Sequence, residues 1–132
     1  MQNNLTKLYR KTQMYSAGSG RQVEISILEM AAGKLRACLG KDEELGYDSG
    51  IDEALKFNQK VWDVFCADWS SESSSLEEDV RTSLLSLGLF VKKRTFTMLA
   101  QPTRAGVLVI IELNDNLIQG LKGQAGAEQG SH

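Results

Sequence analysis

The chain has one proline, one histidine, two cysteines and few aromatic residues, 7% of its 132 positions. Each scarcity excludes something. The histidine is the final residue, His132, so it carries no weight as a general base or a metal ligand. Cys38 and Cys66 sit beside apolar residues inside helical patterns. They read as buried free thiols, not as a disulfide scaffold, and a reducing compartment is expected. No Cys, His and carboxylate set has metal-ligand spacing. Gly18-Ser19-Gly20 lacks the further glycine and the preceding strand of a phosphate loop. The expectation is a protein that is not an enzyme and takes no metal or cofactor. The longest apolar run, Val107 to Ile111, is too short to span a bilayer. The first residues, MQNNLTKLYRK, contain no apolar segment of the signal-peptide kind, so a cytoplasmic location is expected. A net charge of -2 with interspersed signs argues against general nucleic-acid affinity. Lys92-Lys93-Arg94, with Arg104 beyond, reads as a solvated basic face, since adjacent helical residues point in different directions.

What the chain does have is helical spacing. In IDEALKFNQKVWDVFCADW, Ile51, Leu55, Trp62, Phe65 and Trp69 recur on one side of a helix, and Asn58 takes the slot that should be apolar. A buried amide must find a partner or cost roughly 1–3 kcal/mol. Phe57, Val61 and Val64 form a second stripe, so this helix needs neighbours on two sides.

The other segments follow the same logic. Asn4 to Tyr15 reads as a first helix with Leu5, Leu8, Tyr9 and Tyr15 on its apolar side, and residues 16–20 as a flexible break. Ser19 can cap a second helix to about Leu39, with Gly40 as its stop. Residues 41–50 are a polar loop in which Asp42-Glu43-Glu44 looks solvated. Ser75-Leu76-Glu77-Glu78 matches a capping box, placing the start of a fourth helix at Leu76. That helix carries Leu76, Val80, Leu84, Leu87, Phe90, Val91 and Met98 on one broad face and Leu85, Leu89 and Phe96 on roughly the opposite one. Pro102 ends it. Thr103 can cap a last helix with Val107, Ile110, Ile111, Leu117, Ile118 and Leu121 as its stripe and Asn114 at the centre. The β-branched run Val107 to Ile111 is also compatible with a strand. Helix is preferred because the spacing persists to Leu121 and no second strand offers itself. Gly123 is the expected stop. Residues 124–132 are small and polar and read as a disordered tail, its end resembling a tag remnant. The expected fold is therefore all-α: a small bundle of four to five helices without a sheet, in a single domain over 1–123.

Two sets of residues are functional candidates. Asn58 and Asn114 read as a structural polar layer fixing helix register, in preference to amides offered to a partner. Phe57, Val61, Val64, Leu85, Leu89 and Phe96 exceed what one core face needs. Either the first and last helices cover them, or they form an exposed apolar surface for a protein partner, as helical grooves often do.

Three blocks and their order resemble the flagellar biosynthesis regulator family FlaF. They are Phe57-Asn58-x-x-Val61-Trp62 with Phe65, then Leu85-Ser86-Leu87-x-Leu89-Phe90-Val91 with Thr95-Phe96, then Leu113-Asn114-x-Asn116-Leu117-x-x-Gly120-Leu121. Tyr9, Lys11, Arg21 and Glu24 fit its start, and the likeness runs from Leu5 to Gly123. Gly20 stands where the family often has proline, Phe57 where it often has tryptophan, and Asp115 where it often has arginine, a reversal of charge. The resemblance implies a cytoplasmic, non-enzymatic protein needed for flagellin production. Its implied partners are flagellin, held in the manner of a secretion chaperone, and the regulator FlbT. An RNA-binding regulator of flagellin message, acting with FlbT, is the alternative, and a purely structural oligomerising module is a third reading.

Overall fold

The computed structural model describes residues 20–130, with side chains over 21–123. The helix expected over Asn4 to Tyr15 and the Ser19 cap lie outside the described residues. Four α-helices follow in order: α1 (Gly20–Ala37), α2 (Ile51–Ser70), α3 (Glu78–Ala100) and α4 (Arg104–Gly130), with a short 3-10 turn at Tyr47–Ser49. Among the described residues there is no strand, only an isolated bridge between Glu44 and Thr103. Val107 to Ile111 lies inside α4, so helical spacing prevails over β-branched composition there.

The helices form an up-down-up-down bundle. Lys34 of α1 lies over the Phe57 ring of α2, and Asp63 of α2 pairs with Lys92 of α3. Glu29 and Arg36 of α1 pair with Lys122 and Asp115 of α4, in opposite chain order as antiparallel helices require. The contacts of α1 with α4 and of α2 with α3 are the most extensive, and those of α3 with α4 the least. That leaves α2 and α4 diagonal to one another. Asp115 finds its partner in the Arg36 guanidinium.

The core divides into two apolar clusters. One holds Leu28, Val61, Trp62, Phe65, Val91 and Ile118, the other Leu35, Leu55, Met98, Val107, Ile110 and Ile111. Along each helix the passage between them is marked by small or polar residues: Ala31 and Ala32 on α1, Asn58 on α2, Thr95 on α3 and Asn114 on α4.

The helix ends show where local signals were read correctly and where they were not. Thr103 caps α4: its hydroxyl accepts the Gly106 N–H at 3.1 Å. The acidic loop is exposed, as expected, and it also closes on the same helix start. The Glu43 carboxylate accepts the Ala105 N–H at 3.1 Å, its carbonyl accepts the Arg104 N–H at 2.7 Å, and Arg104 Nε donates to the Gly40 carbonyl at 3.0 Å. Negative charge at a helix N-terminus is favourable, which explains why Glu43 bonds there while Asp42, Glu43 and Glu44 all stay exposed to solvent. The capping box at Ser75 does not form. α3 starts at Glu78 with no side-chain cap, and Ser74, not Ser75, accepts the Leu76 N–H at 3.3 Å. The turn made by Ser71 to Ser74 places Leu76 against the core ahead of the helix. α4 runs past Gly123, the expected stop, to Gly130. Of the tail expected to be disordered, the backbone over 124–130 is thus helical, and 131–132 lie outside the described residues.

α2 and α3 approach closely at Gly88, where an added Cβ would overlap the Cys66 sulfur and lie 3.9 Å from the Trp62 ring. Alanine there would gain about 0.5–1 kcal/mol of helix propensity but would overpack a buried contact at about 1–3 kcal/mol. Gly88→Ala should therefore lower the unfolding free energy in urea by about 1 kcal/mol, and adding Cys66→Ala should recover part of that loss. A Gly88→Ala protein as stable as its parent would show that the two helices part at no cost.

Candidate functional site

Asn58 and Asn114 are both fully buried. Trp62 Nε1 donates to Asn114 Oδ1 at 2.8 Å, and Asn114 Nδ2 donates to Asn58 Oδ1 at 2.7 Å. The line crosses the bundle from α2 to α4 and back, between the two apolar clusters. Asn58 Nδ2 ends it, buried and without a partner among the described residues. Both amides are therefore committed inside the core. Neither is offered to solvent.

The six apolar candidates do not share a groove. Val61 is 1% exposed and belongs to the core, which removes it from any binding surface. Phe57 and Val64 are half-buried against that core. They lie on the α1 side of α2, where the Lys34 ammonium stands 5.0 Å from the Phe57 ring centre. Cys66, nine residues after Phe57, meets Gly88 of α3. At 100° per residue nine positions is a half-turn, so Phe57 faces away from α3. Phe57 instead floors a shallow groove between α1 and α2, of about 500 Å³, with Lys34, Lys56 and Lys60 around it.

The three candidates on α3 behave differently. Leu85 is half-buried, Leu89 is 54% exposed and Phe96 74% exposed. Their spacing places them on one flank of α3 within about 40° of arc. Phe90, which was expected on the core face, is 45% exposed on the next face, with the Arg94 guanidinium 5.5 Å from its ring centre. Val80, also expected in the core, is 40% exposed. Sequence reasoning set the helical wheel by hydrophobicity alone. Centred on Gly88, Val91, Thr95 and Met98, which are the buried positions, the wheel puts Phe90 outside.

A separate apolar recess of about 170 Å³ opens at the bundle end where Phe65, Trp69, Leu76, Leu84, Leu117 and Leu121 converge from α2, the turn before α3, α3 and α4. Trp69 packs edge-on to Trp62 at 6.2 Å and tilted on Phe65 at 5.7 Å, and the Arg21–Glu24 ion pair at 3.2 Å borders the opening. No group of three or more His, Cys, Asp or Glu among the described residues is placed to hold a metal ion. No helix among them is long and apolar enough to cross a membrane.

Burial pushes the Cys66 thiol above its ordinary pKa; Lys92 draws it partly back and Asp63 adds to the rise. Burial also raises Cys38. Both thiols stay protonated at neutral pH and are poor nucleophiles there.

The family described as flagellar protein FlaF matches residues 5–121. The chain belongs to that family. Its role is therefore tied to the flagellum. No curated protein and no solved structure matches the chain. The matched span takes in all of α1 to α3, the buried asparagines and most of α4.

Two outcomes follow from the hydrogen-bonded line and the thiol. Asn58→Leu orphans one donor, Asn114 Nδ2, and should cost about 1–3 kcal/mol. Asn114→Leu orphans both the Trp62 indole N–H and the Asn58 carbonyl and should cost more; urea unfolding of the two variants gives the order, and equal losses would contradict it. For Cys66 the unfolded thiol ionises at a lower pH than the folded one, so the unfolded state holds fewer protons in that interval. Stability should be full below the ordinary thiol range and fall as pH rises through it, and Cys66→Ala should flatten that slope in denaturation at stepped pH.

Proposed function

We propose that this member of the FlaF family is a non-enzymatic cytoplasmic protein that binds flagellin as a secretion chaperone, acting with FlbT to support flagellin synthesis and export. The client would lie on the outer flank of α3. The observation that carries this reading is the exposure of Leu89 and Phe96 there. Burying a large apolar side chain stabilises by roughly 1.5–3 kcal/mol, and the bundle leaves that gain unused at both positions. Side chains of this size, aligned on a rigid helix, match the helix-in-groove mode by which an amphipathic segment is recognised. Flagellin's terminal segments, which become ordered helices in the filament, are clients of that kind. Binding would couple to their folding, so part of the apolar gain offsets the cost of ordering the client.

The test is a binding titration with purified flagellin and its end-truncated forms. Leu89→Ser with Phe96→Ser should weaken binding by about tenfold or more and leave helix content by circular dichroism unchanged, because neither side chain fills the core. Binding should persist at high salt, in contrast to a phosphate-driven contact with flagellin message. Full affinity in the double variant, or a strong salt dependence with RNA competition, would contradict the reading.

A further inference from the structure

We infer that the segment held on α3 is acidic as well as amphipathic, with a carboxylate set between two apolar positions so that it meets Lys93; this rests on the flagellin reading above for the identity of the client. Lys93 stands four residues after Leu89 and three before Phe96. On a helix those three positions form one row, so a segment that covers the two exposed apolar side chains also covers the ammonium. With Leu85 the row has the spacing i, i+4, i+8, i+11 and a length of about 16 Å, three turns of a partner helix.

A lysine taken out of water needs an acceptor, and it brings only donors. The bundle supplies none. Lys92, the next residue, is held by Asp63 at 3.2 Å, and Arg94 lies over Phe90. Asp52, on the side of α2 that faces α3, is paired with Lys56 at 2.9 Å. No ion pair engages Lys93 among the described residues. Between Val80 and Ile111 the chain has Arg81, Lys92, Lys93, Arg94 and Arg104 and no Asp or Glu, although its overall charge is -2. The row that exposes the apolar side chains thus lies in a segment without a carboxylate and holds Lys93, so a partner that covers the row must bring the counter-charge. A helix satisfies both demands at once, because an apolar, an acidic and an apolar residue at i, i+4, i+7 repeat the row on α3.

Binding is measured for parent, Lys93→Glu, Lys93→Met and the Leu89→Ser, Phe96→Ser double variant. The probes are purified flagellin and two designed helical peptides with Leu-Glu-Leu or Leu-Lys-Leu at i, i+4, i+7. The parent should prefer the Glu peptide by about tenfold or more, Lys93→Glu should reverse that preference, and both Lys93 variants should weaken flagellin binding by about tenfold. Flagellin binding that is lost in the double variant but unchanged in both Lys93 variants overturns the acidic-segment inference and leaves the flagellin reading standing. Flagellin that ignores the double variant, while the peptide preference holds, overturns the flagellin reading alone. No binding of either probe, no preference between the peptides, or tighter binding of polyuridine or of anionic phospholipid vesicles through the same residues, overturns the inference.

Discussion

One line of hydrogen bonds sets the register of this bundle. Trp62 donates to Asn114 and Asn114 donates to Asn58, so a single amide on α4 serves two side chains one turn apart on α2. Apolar packing alone tolerates small slides and rotations of one helix on another, since one leucine substitutes for the next. This line does not. Rotating α4 by one residue would turn Asn114 through 100° and leave two or three polar groups unpaired in the core. α2 and α4 are diagonal, so fixing them against each other also fixes the space left for α1 and α3. The small residues Ala31, Ala32 and Thr95 occupy that level, and the two apolar clusters pack independently on either side.

The same constraint decides which surface is left over. With α2 and α4 locked, the side of α3 that meets them is Gly88, Val91, Thr95 and Met98. Gly88 lets α3 sit close to Cys66, and that close approach sets the helix rotation about its own axis. Leu89, Phe90 and Phe96 then point outward because Gly88, Val91 and Thr95 point inward. The exposed flank follows from the core and is not an independent feature. Arg94 over Phe90 and the charge of Lys93 within the row keep the patch wetted, in the way charges flanking apolar segments counter self-association.

Much of this was legible in the residues. The helical periodicity of α2 and α4, the stop at Pro102 and the Thr103 cap are local signals, and local signals survive folding. The all-α class followed from them. Three features were not legible because each depends on residues distant in sequence. Glu43 is solvated charge, as its loop suggests, but its bond to the start of α4 depends on a residue more than sixty positions later. Ser75 looks like a cap until the turn at Ser71 to Ser74 draws Leu76 into the core. Val61 and Phe57 look like one stripe until α1 packs over the first and leaves the second at the edge, under Lys34. A stripe in sequence gives the direction in which a side chain points; only the placement of neighbouring helices decides whether that direction is interior.

Asp115 on α4 is met by Arg36 on α1. The pair is half-exposed, so its contribution to stability is small. Its effect is on partner surfaces: the Asp115 charge is neutralised within the chain and does not add to the field of the outer face. On α3, Lys93 stands among exposed apolar side chains, while the α1–α4 side presents paired charges of both signs. A flank that sets Lys93 among exposed apolar side chains would discriminate among helical segments by both burial and sign of charge. Discrimination by two independent terms needs less area than discrimination by burial alone, which suits a bundle this small.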